Sequence, residues 1–182
     1  LWLYSHPTQY GIKVPRCRTT GEKTLLALIP SMPFQPINAS SRMGETDHII
    51  DLLSKSFEKD AWHGPSVKET LTKIRAEDFR KRLPNTHSII EIVNHMAAWR
   101  TYVVKKLKGD HSFTITEELN FPSTQDWSAA IDSLEQTQKD LIEAIRSFPS
   151  EDLHLHVPHV ENKHTYYTLL HGIIHHDLYH TG

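Results

Sequence analysis

Three histidines in this 182-residue chain have types and spacings that could bind a metal ion. His176 and His180 are four residues apart, so on a helix they project from one face about one turn apart. A helical wheel places both within about 20° of Leu169, at the centre of an apolar stripe. His95 projects beside Trp99 on the apolar side of an earlier helix. The sequence therefore predicts three imidazoles that face one helical interior.

Imidazoles in such an interior need hydrogen-bond partners or a cation, because burial disfavours an unpaired polar group. A histidine pair at this spacing, joined by a third histidine from a facing helix, supplies three ligands to one ion and leaves a position open for water or substrate. Zinc, nickel, copper and iron all accept imidazole ligands. The pattern predicts a divalent-metal site of the open, catalytic type at His95, His176 and His180. A metal-free bundle whose imidazoles bond to one another stays open as an alternative.

The other histidines are interpreted as loop or surface residues. The chain has 14 in all, and eight of them lie between His154 and His180. His171 and His175 project from the side of the last helix opposite the predicted ligands. The histidine excess therefore reduces to three residues with a chemical role.

The elements that must position these residues are helices. Apolar periodicity predicts four long ones, over residues 46–58, 88–108, 126–148 and from 165 onward. Ser88 and Glu91 form a capping box at the start of the second, and Gly109 ends it. A second box at Ser66 predicts a short segment to Ile74, followed by a helical turn over 76–83 and loops over 110–124 and 150–163. With no alternating strand pattern, the prediction is an all-α four-helix bundle.

Composition excludes several classes of protein. A net charge of −2 gives no electrostatic basis for binding nucleic acid, and no apolar run is long enough to cross a membrane. A single cysteine excludes an internal disulfide framework. We expect a cytoplasmic protein that acts on a small molecule, and a homodimer is compatible with the sequence. Residues 1–42 are basic, proline-punctuated and without sustained periodicity, so we expect an upstream or disordered segment before a domain over 43–182.

Three stretches of the sequence resemble segments of one known family and occur in the same order as in that family. They are Ala61–Ser66, Ile92–Arg100 and Leu169–Gly182. They are similar to the DinB-like (YfiT-related) proteins over about residues 45–182. The resemblance implies a four-helix bundle with up-down-down-up connectivity and a metal site at His95, His176 and His180. Members of the family include metal-dependent transferases that use low-molecular-weight thiols such as bacillithiol or mycothiol, and proteins described as metal-dependent hydrolases. Since members usually continue beyond the final glycine, we expect this sequence to be truncated after Gly182.

Five further residues are candidates to support the ligands or to line the pocket. His63 is assigned either to the pocket or, more simply, to a helix junction. Gln138, the one polar residue in an apolar seam, and Asp177, beside a ligand, are candidates to support the site, although the wheel also allows Asp177 a surface role. Trp99 and Tyr179 are interpreted as packing residues, with substrate contact as the alternative.

The sequence leaves two functions open. A metal-dependent thiol transferase or hydrolase would use the ion to lower the pKa of a bound water or thiol near neutral pH. A non-catalytic metal-binding or stress-response module would instead fill the fourth coordination position of the ion with a protein ligand, such as His63 or His175. An open position beside an accessible pocket distinguishes the enzyme from the module.

Overall fold

Helices make up the ordered framework of the chain. A computed structural model describes residues 43–122, 126–159 and 164–182, all within the unit Ser40–Gly182. Six α-helices occur there: α1 Glu45–Phe57, α2 Val67–Leu71, α3 Ile89–Leu107, α4 Glu117–Asn120, α5 Trp127–Ser147 and α6 Tyr166–Thr181. Within these ranges there is no strand, only an isolated bridge between His156 and Thr165. The all-α prediction is confirmed, whereas the expectation for residues 1–42 lies outside the described residues.

Helix α3, which carries His95, begins and ends where the sequence predicted. The Glu91 carboxylate accepts hydrogen bonds from the Ser88 amide at 2.8 Å and from the Ser88 hydroxyl at 2.7 Å, and it also pairs with Arg82. At the other end Gly109 has a φ of +84°, in the left-handed region that glycine adopts without strain. The start of the helix is therefore fixed by side-chain capping and its end by glycine.

The four long helices pack around an interior that consists of two apolar clusters. Helix α3 packs against α5 and α6, and α1 packs against the same two helices. Fully buried side chains from all four supply this interior, among them Ile49, Val93, Leu134, Leu141 and Leu170. Each apolar stripe is thus removed from water, which is the main stabilising term for a bundle. The up-down-down-up order of helix directions stays a prediction. None of the helices described is long and apolar enough to cross a membrane.

Two connecting segments differ from the prediction. Residues 76–83 form turns rather than a helical turn, because their backbone bonds span three residues, as from the Asp78 amide to the Arg75 carbonyl at 2.9 Å. The predicted loop over 110–124 contains the short helix α4, whose Thr116 side chain accepts from the Leu119 amide at 3.3 Å. An N-cap threonine followed by acidic residues is a signal for the start of a helix. The prediction of a loop gave more weight to the proline and serine content of this segment.

Buried Lys106 holds the segment that leads into α4. Its ammonium group donates to the backbone carbonyls of His111 at 2.6 Å and Phe113 at 2.7 Å, and the whole residue is buried. A buried ammonium needs such acceptors because desolvation of an unpaired charge is costly. The chain after α3 is therefore held against that helix, which brings α4 towards His95.

The capping carboxylate of α3 should make stability depend on pH. Burial alone would raise the pKa of Glu91, but hydrogen bonds from Ser88 and Arg82 outweigh it and lower the pKa to about 2. A carboxylate whose pKa is lower in the folded state than in the unfolded state stabilises the fold at pH values above its unfolded-state pKa of 4.5. This stabilisation is lost as the pH falls towards 2. We expect Glu91→Gln to cost about 1 kcal/mol of unfolding free energy at pH 7, with the difference from wild type shrinking below about pH 4.5.

Urea unfolding at several pH values measures this difference. Glu143→Gln is a matched control, since Glu143 is exposed on α5 and caps no helix. A Glu91→Gln penalty that stays constant from pH 7 to about pH 3 would contradict the assignment.

Candidate metal centre

The three predicted ligands meet at one point between α3 and α6. His176 Nε2 lies 3.0 Å from His95 Nε2 and 3.2 Å from His180 Nε2. One nitrogen from each imidazole lies within 4.8 Å of the other two. With metal–nitrogen distances of about 2.1 Å, neighbouring ligand nitrogens are about 3.0 Å apart at a right angle and about 3.4 Å apart in a tetrahedron. The two separations from His176 Nε2 fit a single ion.

The positions of the protons on the same imidazoles also favour a bound cation. His95 Nδ1 lies 2.8 Å from the Asn120 carbonyl oxygen, which can only accept, so Nδ1 carries the proton and Nε2 presents a lone pair. His176 Nε2 faces two other Nε2 atoms but holds at most one proton, which can serve only one of these contacts well. A shared cation accepts all three lone pairs at once. The residues present therefore fit the metal that the sequence predicted.

Burial keeps these imidazoles in the form that binds metal. It lowers the pKa of His176 to about 3, with further lowering by the neighbouring His180 and His95 rings. It also lowers the pKa of His180 to about 4, and that of His95 in the same direction. Metal ligation requires neutral imidazole, so near pH 7 no imidazolium has to lose its charge before the three rings bind an ion.

The orientation of His95 is set by α4 and the residue after it. Asn120 is the last residue of this four-residue helix, so its carbonyl has no intrahelical partner and accepts from His95 instead. The Phe121 ring stacks on the imidazole with centroids 4.4 Å apart and planes at 10°. A hydrogen bond to Nδ1 and stacking on one face together fix the tautomer and the ring plane.

His176 is placed by a buried ion pair on the adjacent residue. The Asp177 carboxylate accepts from the Arg100 guanidinium at 2.6 Å, and both side chains are fully buried. Arg100 Nε donates to Gln138 Oε1 at 3.0 Å, and Gln138 Nε2 donates to the Leu53 carbonyl at 3.4 Å. This network joins α1, α3, α5 and α6 beside the ligands. The surface role that the wheel allowed for Asp177 is therefore wrong.

A cavity of about 520 Å³ opens beside the three histidines. Trp99 lines it and is half-buried, with its indole Nε1 donating to Asn120 Oδ1 at 3.0 Å. Tyr179 also lines the cavity but is 80% exposed, so it is not the packing residue that the sequence suggested. Both aromatic rings are thus placed where a ligand of the metal site would pass.

No fourth protein ligand closes the site among the residues described. His63 lies exposed in the turn after α1, and His175 is exposed on α6. The described groups that could hold an ion consist of His95, His176 and His180 alone. The position facing the cavity is therefore open, as in metal sites that bind water or substrate.

Three residues that position the ligands were not identified from the sequence: Arg100, Asn120 and Phe121. Arg100 follows His95 by five residues on the buried side of α3, and a charge on that side of the helix could have indicated a buried partner. Asn120 and Phe121 belonged to a predicted loop, and only recognition of α4 would have directed attention to them.

The bundle and its three-histidine site define a class of small helical proteins with a candidate metal centre between two helices. The sequence model of the DinB superfamily matches residues 61–182, and the chain belongs to this superfamily. That range contains all three ligands, whereas α1 precedes it. Searches of curated proteins and of solved structures gave no significant match.

Proposed function

We propose that this protein is a metal-dependent enzyme that acts on a small molecule, as a thiol transferase or a hydrolase. The observation that carries the proposal is the open side of the three-histidine site, which faces a cavity of about 520 Å³. Cavities of about 300–1,000 Å³ are typical of small-molecule sites. When bound, the ion would supply Lewis acidity that makes a water or thiol nucleophilic near neutral pH.

The protein's own residues would hold the ligands and select the substrate. His95, His176 and His180 would bind the ion through Nε2, with His95 kept in the required tautomer by Asn120. Trp99 and Tyr179 would contact the substrate from the walls of the cavity. Asp177 would act on His176 through the ion pair that anchors this part of α6.

A non-catalytic metal module is the less favoured function. Such a module would complete the coordination of the ion with a fourth protein ligand. The two candidates for that role, His63 and His175, are both exposed and outside the ligand group. An open position costs a storage protein binding energy and exposes the ion to competing ligands, but an enzyme requires it. The arrangement of the described residues thus supports catalysis.

Turnover assays on untagged protein test the proposal. Separate preparations loaded with zinc, nickel or iron would be assayed for transfer of cysteine, glutathione, bacillithiol or mycothiol to an electrophilic chromophore, and for hydrolysis of nitrophenyl esters. We expect one reaction class to be catalysed and to fall by at least about 100-fold in His95→Ala. His175→Ala, the exposed control, should retain full activity. Inactivity of every loaded form in both reactions would reject the enzyme and favour the module.

A further inference from the structure

Gly172 lies in the middle of α6 and lines the cavity beside the metal centre. Glycine is among the least favourable residues for a helix interior. A Cβ at this position would meet no described heavy atom outside the local helix backbone within 4 Å. Neither the helical backbone conformation nor close packing therefore requires glycine here. The physical consequence of glycine is the space that it leaves in the cavity.

This space lies close to the ligands. Gly172 precedes His176 by four residues, and Thr168 precedes Gly172 by the same interval, so the three share one face of α6. A rise of 1.5 Å per residue puts successive members of this row about 6 Å apart along the helix. A molecule bound at the histidines would thus extend over Gly172 towards Thr168.

The walls around Gly172 are apolar. Val103 and Trp99 of α3 face Leu169 and Ile173 of α6 across the cavity. Its described lining contains no Lys, Arg, Asp or Glu. A carboxylate or phosphate placed there would lose its hydration without gaining a Lys or Arg partner, whereas an apolar group would be removed from water at no such cost.

We infer that the α6 groove, formed by Gly172 with Trp99, Val103, Leu169 and Ile173, binds an uncharged aromatic or aliphatic group of the substrate. The reacting end of that substrate lies at the histidines, and this part of the inference rests on the proposed function. Gly172 determines specificity, because any larger side chain would occupy the volume that the apolar group fills. The groove correspondingly disfavours a substrate with a carboxylate at this position.

Two dyes with the same ring system test the charge preference in metal-free protein. Phenylnaphthylamine is uncharged and fluoresces in apolar surroundings, and anilinonaphthalenesulfonate is its sulfonated counterpart. We expect the uncharged dye to bind at least about tenfold more tightly, because the sulfonate has no Lys or Arg side chain to pair with in the groove. Equal affinities, or tighter binding of the sulfonate, would overturn the inference.

Substitution of Gly172 tests the location. Gly172→Leu should weaken phenylnaphthylamine binding by at least about tenfold without lowering the thermal midpoint, because leucine fills open space and favours a helix. Gly172→Ala, which adds a single methyl, should have a smaller effect in the same direction. His175→Leu adds the same side chain at an exposed position of α6 and should leave dye affinity unchanged. Wild-type dye affinity in Gly172→Leu would reject the groove as the binding site.

These measurements separate the inference from the proposed function. Dye binding requires neither metal nor turnover, so an inactive protein that still binds the uncharged dye at Gly172 supports the groove and contradicts only the enzyme. An active enzyme whose dye binding is indifferent to Gly172→Leu contradicts only the groove.

Discussion

Replacing His176 by alanine should abolish stoichiometric metal binding. His176 Nε2 is the central ligand atom, 3.0 Å from His95 Nε2 and 3.2 Å from His180 Nε2. The two remaining imidazoles come from different helices and lose the nitrogen that joins them. We expect wild-type protein to bind one ion per chain and His176→Ala to bind it at least about 100-fold more weakly.

Calorimetric titration of untagged, metal-free protein with zinc measures this change, and elemental analysis gives the stoichiometry. The matched control is His175→Ala, which removes an exposed imidazole from the preceding position of α6. Because an ion that binds only the folded state raises the thermal midpoint, zinc should stabilise wild type and His175→Ala but not His176→Ala. Wild-type zinc affinity in His176→Ala would show that these three histidines are not the metal site.

Replacing Asp177 by alanine should destabilise the fold by about 3–5 kcal/mol. Burial raises the pKa of Asp177 and the Arg100 guanidinium opposes this rise, and the 2.6 Å contact with that guanidinium favours the charged carboxylate. Its removal leaves a fully buried guanidinium without a counter-charge, with Gln138 and the Met96 carbonyl as its remaining described hydrogen-bond acceptors. Because Asp177 adjoins His176 in α6, we also expect zinc affinity to fall about 10–100-fold in molecules that stay folded.

A paired substitution separates the lost charge from the lost packing. Arg100→Met combined with Asp177→Leu removes both charges and keeps apolar volume between α3 and α6, so it should recover most of the stability lost in Asp177→Ala. The recovery is expected to be incomplete because Gln138 Oε1 loses its donor. Urea unfolding at pH 7 measures all three proteins. A double variant no more stable than Asp177→Ala would mean that packing, rather than the unpaired charge, dominates the loss.

The local features of this protein were predictable from its sequence. Capping residues and apolar periodicity predicted the four long helices to within about two residues, because these signals act between neighbours in the chain. Helical phase alone indicated that His95, His176 and His180 face inward, since an i,i+4 spacing has one geometric outcome on a helix. The all-α class and the ligand candidates follow from such short-range rules.

Contacts between distant segments were decided only by the tertiary structure. Asp177 and Arg100 are 77 positions apart, and the wheel alone allowed the carboxylate either a buried or an exposed place. Asn120 reaches His95 only because α4 forms and Lys106 holds the chain that precedes it. The orientation of each ligand depends on such partners, because a hydrogen bond constrains an imidazole only where folding brings its acceptor into reach. Sequence periodicity identified the faces of the helices, and packing determined which groups meet across them.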